Sequence, residues 1–171
     1  MLRLCLILFI IHFSLFVIHS QDVSFYKENI TMKIENDNFQ VTGDYFLKTT
    51  NDTSIILFYP FPVDSLYGEA DSIIIININK NNSEEVEILS QKKIGVIFRA
   101  DFGNEKEIHI LISYRQKLLG NKAEYILKTT AGWRKPLEIA DYQLIVAPGI
   151  EIVDFSMPPD SFMETGEEKI Y

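Results

Sequence analysis

The sequence predicts an all-β protein: an antiparallel β-sandwich of about ten short strands in a single domain. Three observations predict it. From Asn29 onward apolar residues recur with a period of two, helical periodicity is nearly absent, and clusters of Asn, Gly and Pro separate the apolar runs. At 171 residues, with 47% hydrophobic and 12% aromatic side chains, the chain can bury one core and is too apolar for disorder.

The elements follow in order. In Ile30 to Glu35, Ile30, Met32 and Ile34 point one way and Thr31, Lys33 and Glu35 the other, and Asn36 to Asn38 supply a turn. The next strand carries Phe39, Val41, Tyr45 and Leu47 on one face, with Gly43 where a bulge or a close neighbour would fit, so the two runs form a hairpin. Thr50 to Thr53 turn the chain into Ser54 to Tyr59, which Pro60 and Pro62 stop because proline cannot donate to the ladder. Ser72 to Asn79 is densely β-branched and reads as a central strand covered on both faces. Further strands are expected over Val86 to Leu89, Ile94 to Arg99, Glu107 to Tyr114, Glu124 to Thr129, Ile139 to Val146 and Ile150 to Phe155. Pro158 and Pro159 break the last of these, Thr165 and Gly166 read as a turn, and Glu168 to Tyr171 as the start of a new strand, as in an edge strand or a chain shortened at its C-terminus.

Residues 1–20 read as an address. One Arg3 precedes an apolar stretch from Leu4 to Ile18, with Ser20 before the polar Gln21, the pattern of a secretory signal peptide. The mature domain is then residues 21–171, secreted or periplasmic, without membrane insertion. An uncleaved N-terminal anchor is the alternative, since the stretch is only just short of a span. Cys5, the sole cysteine, falls within this segment, so the mature chain has no disulfide, no thiol nucleophile and no cysteine metal ligand. Sixteen basic against 24 acidic residues give a net charge of -8, which repels nucleic acid.

The run from Ile30 to Asp64 (ITMKIENDNFQVTGDYFLKTTNDTSIILFYPFPVD) resembles the N-terminal β-sandwich of the vault and inter-alpha-trypsin type. The run from Tyr125 to Ile150 (YILKTTAGWRKPLEIADYQLIVAPGI) is similar to secreted bacterial β-sandwich proteins of unknown function. The resemblance implies an extracytoplasmic, noncatalytic module, often part of a larger protein. The Asp-x-Ser-x-Ser motif of an adhesion domain is not matched, because Asp154-Phe155-Ser156-Met157-Pro158 lacks the last serine.

Catalytic chemistry finds little support. His109 is the single mature histidine, and its alternation with Glu107 and Leu111 reads as a partly covered strand residue; one histidine cannot build a zinc site. The acidic clusters Glu35 to Asp37 and Asp160 to Glu168 lack the alternating carboxylates and central glycine of a calcium loop. No enzyme and no cofactor is expected. Trp133, in AGWRKP, reads as a corner packed over the sandwich end. Were it exposed, Trp133, Arg134, Tyr59 and Phe61 would be the binding candidates.

Three sequons, at Asn29, Asn51 and Asn81, would carry glycans in a eukaryotic source, the last two in turns; the resemblance favours a bacterium. The functional expectation is an exported module for protein interaction or structural support with an extracytoplasmic protein partner. The alternative is a carbohydrate-binding or carbohydrate-active domain using Trp133 and acidic residues.

Overall fold

The computed structural model describes residues 22–78, 83–127, 133, 135–166 and 168–171. Among them run eleven strands: β1 (Val23–Glu35), β2 (Asn38–Thr49), β3 (Ser54–Pro60), β4 (Tyr67–Ile78), β5 (Ser83–Glu85), β6 (Glu87–Lys92), β7 (Gly95–Asp101), β8 (Glu107–Leu118), β9 (Ile139–Val146), β10 (Met163–Glu164) and β11 (Lys169–Ile170). Eight form one sheet in the order β10-β11-β9-β1-β2-β8-β4-β5, and three form a second in the order β3-β7-β6. No helix among the described residues is long and apolar enough to cross a membrane. The expected leader over residues 1–20 lies outside the described residues.

The period of two becomes one shared core. On β2, Phe39, Val41, Tyr45 and Leu47 are buried, and on β8 Ile108, Ile110, Ile112 and Tyr114; the small sheet answers with Ile55, Tyr59, Val96, Phe98 and Ala100. Each such aliphatic side chain stabilises the fold by about 1.5–3 kcal/mol through removal from water. Gly43 lies on the buried face of β2 because the Tyr45 ring folds over the space its side chain would fill. Gly95 opens β7 with φ +153, and a Cβ there would meet the Tyr59 carbonyl and the Phe58 ring, so the site demands glycine.

Several elements depart from the sequence reading. The sandwich is not wholly antiparallel: β1 pairs with β9 in parallel, from Lys27 with Ile139 to Ile34 with Val146. The strand expected from Ser72 begins at Tyr67 and holds a register shift where Ser72 takes φ 53. It is covered on one face only, since Ile75 is buried while Ile74 is 49% exposed. Residues Glu124 to Leu127 make no strand, and Tyr125 is anchored through its hydroxyl instead of a ladder. Ile150 to Phe155 also make no strand, because the turn at Pro148 and Gly149 leads the chain away and β11 takes the place beside β9. The turn at Thr165 and the strand at Lys169 match their expectation.

Candidate functional site

Two polar clusters on opposite faces of the large sheet hold the chemistry. The inner one starts at Glu28. Running the alternation of Ile34, Met32 and Ile30 back one step puts this acid on the buried face of β1, and its exposure is 1%. It lies in register with Tyr45 on β2, and Tyr142 of β9 donates a short hydrogen bond to Oε1. Oε2 is buried and has no hydrogen-bond partner among the described residues. Burial raises the Glu28 carboxyl above the ordinary carboxylate range, and the Tyr142 hydroxyl offsets this in part.

Tyrosines fill the rest of the inner cluster. The Tyr45 hydroxyl donates to that of Tyr59 at 2.9 Å and shares a second bond of 2.9 Å with Tyr125. Burial pushes the Tyr45 and Tyr59 phenols well up and that of Tyr125 up to about 12, so all three stay neutral hydroxyls in the physiological range. Such a chain fixes the spacing of the two sheets and offers no nucleophile or mobile base. Trp133 closes one end, half-buried with its ring 5.7 Å from Phe25.

The outer cluster centres on His109, whose Nε2 lies 2.6 Å from Asp44 Oδ1. Its ring stacks on Phe46 at 4.4 Å and 16°. From β1, the strand on the other flank of β2, Lys27 places its ammonium 4.9 Å from the same ring. Lys48 sits 4.5 Å from the Tyr26 ring and 2.7 Å from Glu138. The rings are thus engaged by this chain's own side chains. Ser113 bonds Thr42 at 3.2 Å, and among the described residues no serine hydroxyl is hydrogen-bonded to His109.

The binding candidates fall as follows. Tyr59 and Phe61 are core residues, 7% and 3% exposed, because Tyr59 packs edge to face on Phe61 and Tyr114, and Phe61 packs on Tyr114 with tilted rings; neither presents a contact surface. Trp133 is half-buried, and Arg134 lies outside the described residues. Of the sequons, Asn51 is exposed in its turn, where it donates to Asp22 at 2.5 Å, and Asn81 lies outside the described residues. Asn29 stands mid-strand in β1 between β2 and β9, with its Oδ1 buried, a place that crowds a glycan. Among the described residues no three His, Cys, Asp or Glu side chains converge as a metal set. Sequence reasoning missed Glu28 and Tyr142. The signal that finds them is the alternation of Tyr142 with Leu144 and Val146, and of Glu28 with Ile30.

No family model matches the chain, and no curated protein does. Among solved structures it is similar to a Legionella pneumophila protein provisionally described as nutrient-binding, with TM-score 0.54 and 12% identity over 88% of this chain and 62% of that one. It is also similar to an M1 zinc metallopeptidase from Deinococcus radiodurans (TM-score 0.46, 7% identity, 88% of this chain and 38% of that one). A third is yeast LTA4 hydrolase in complex with bestatin (TM-score 0.46, 10% identity, 88% and 26%). The first likeness shows a shared fold alone. The chain spans 62% of the length of that protein.

Proposed function

We propose that the chain is an exported, noncatalytic β-sandwich module that binds a protein partner or supports a larger assembly. The observation that carries this reading is that the groups best suited to chemistry are held by structural contacts. Glu28, Tyr45 and Tyr59 are buried, with Tyr125 and Tyr142 half-buried around them, and His109 is held by Asp44 and Phe46. An active site needs such groups beside a space that admits substrate. The leader pattern supports export, and the Legionella likeness, in which the matched region is 62% of that chain, supports a module within a longer protein.

The test is turnover. The purified protein is expected to leave peptide, ester and glycoside substrates unchanged over a day. Hydrolysis that disappears in His109→Ala or Glu28→Gln would overturn the reading.

A further inference from the structure

β4 carries apolar side chains on both faces, and the described residues cover only one of them. Ile75 and Asn77 turn inward and are buried; Ile74, Ile76 and Ile78 turn outward, Ile74 with 49% of its surface exposed. Leu111, between the buried Ile110 and Ile112 of β8, lies opposite Ile76 on the same outward face. Phe46 of β2, stacked on His109, continues the block. An antiparallel sheet with one face in water alternates apolar in with polar out. β1 and β2 follow this at Thr31 and Thr42, which are in register, and β4 does not. The block lies in the half of the sheet away from β11.

Charge marks the two flanks of this block. Asp44 is held by His109 and Asp71 by Arg115, each within the chain. The charged groups at the flanks are Glu85 of β5, in register with Ile76, and Lys27 of β1, in register with Phe46. Neither has an ion-pair partner among the described residues, although the Lys27 ammonium lies 4.9 Å from the Phe46 ring. β2, β8 and β4 stand between them. Four strand spacings of about 4.8 Å put them roughly 19 Å apart, too far to pair within one chain.

We propose that the outward face of β2, β8 and β4 binds a second copy of the chain, sheet on sheet, about a two-fold axis along β8. Such an axis lays β4 of each copy over β2 of the other, and β5 over β1. The apolar block is then closed from water. The register runs from Glu85 through Ile76, Leu111 and Asp44 to Asn29, so each Glu85 comes over Asn29 of the other copy. The next outward residue on that strand is Lys27. A two-fold contact repeats itself, so the Glu85–Lys27 pair forms twice. With strands about 4.8 Å apart and outward residues about every 7 Å, five strands by three rows cover about 500 Å² per copy, or about 1,000 Å² in all, where specific interfaces begin. The net charge of -8 on each copy opposes association, and salt at physiological strength screens it beyond about 8 Å. This contact goes beyond the module reading and does not depend on it.

Sedimentation equilibrium of the purified chain at physiological salt is expected to show a reversible dimer. Glu85→Lys and Lys27→Glu each set like charges against one another across the axis, and each is expected to weaken the dimer at least tenfold. The double variant is expected to restore it to within threefold of the wild type, a recovery that damage to the fold would not give. Ile74→Lys, at its half-exposed site, is expected to weaken it at least tenfold with an unchanged circular dichroism spectrum; should that variant fail to fold, the two charge variants decide. A carbodiimide, which joins a carboxylate to an amine in contact with it, is expected to link Glu85 to Lys27 between isotopically light and heavy chains. A chain that stays single at every concentration would overturn the proposal, as would a dimer that none of these variants weakens. Single charge variants that weaken the dimer without recovery in the double would overturn it too. So would a different protein cross-linked to Glu85 or Lys27 in material from the source, since the face would then belong to that protein.

Discussion

Replacing Glu28 with glutamine separates the cost of a buried charge from the cost of a buried polar group. Burial raises the folded-state pKa of Glu28 above the ordinary value of 4.5, so the folded chain holds this proton more tightly than the unfolded chain does. The sign follows: the group's stabilising contribution is fully present below pH 4.5 and is lost as pH rises through the raised value. Glutamine keeps an acceptor for the Tyr142 hydroxyl and cannot ionise. Its amide then takes the place of Oε2, which has no described partner, just as the proton of the neutral acid does. At pH 4 the glutamine variant is therefore expected to be less stable by about 1–3 kcal/mol, since its amide buries two unpaired N–H donors where the neutral acid buries one O–H. Above that, the glutamine variant gains on the wild type by up to about 1.4 kcal/mol per pH unit until Glu28 is fully ionised in both states. The assay is urea unfolding between pH 4 and 8, read by the fluorescence of Trp133, the only tryptophan, which packs on Phe25. A difference that stays flat across this range, or a variant that loses ground as pH rises, would refute the reasoning, because Glu28 would then be ionised and held by a donor.

Three other substitutions test the packing. Tyr45→Phe removes the hydroxyl shared by Tyr59 and Tyr125 and is expected to cost about 1–3 kcal/mol in urea unfolding, with near-ultraviolet circular dichroism reporting loosened aromatics. Gly95→Ala forces a side chain into φ +153 against the Tyr59 carbonyl and the Phe58 ring; a loss of about 1–3 kcal/mol is expected, and a neutral result would show that β7 does not begin as described. Ile110→Ala, at 0% exposure, is expected to lower stability by about 2–5 kcal/mol in the same assay, whereas an exposed β8 would lose far less.

The hairpin of β1 and β2 was legible because one face of each strand is buried, which writes the pairing into alternation: Ile34 against Phe39, Met32 against Val41 and Ile30 against Gly43. β9 was legible to the residue from the alternation of Tyr142, Leu144 and Val146, more covered than Asp141 and Gln143 between them. Glu28 was not, because a charged side chain on the apolar face reads as the end of a strand, although the period continues through it. Tyr125 misled differently: Glu124 to Thr129 alternates like a strand, yet the side-chain bond to Tyr45 holds its described part without a ladder. The parallel contact of β1 with β9 joins segments more than a hundred residues apart, and no local pattern encodes it. Tyr59 and Phe61 are binding candidates in the sequence only alongside an exposed Trp133, and packing on Tyr114 keeps both rings in the core.

The most direct test of an exported, noncatalytic module is light scattering on the protein recovered from extracytoplasmic material of its source. The account predicts a species heavier than the chain itself, in which mass spectrometry finds a second, different protein. A protein that runs as the lone chain at every concentration would contradict it.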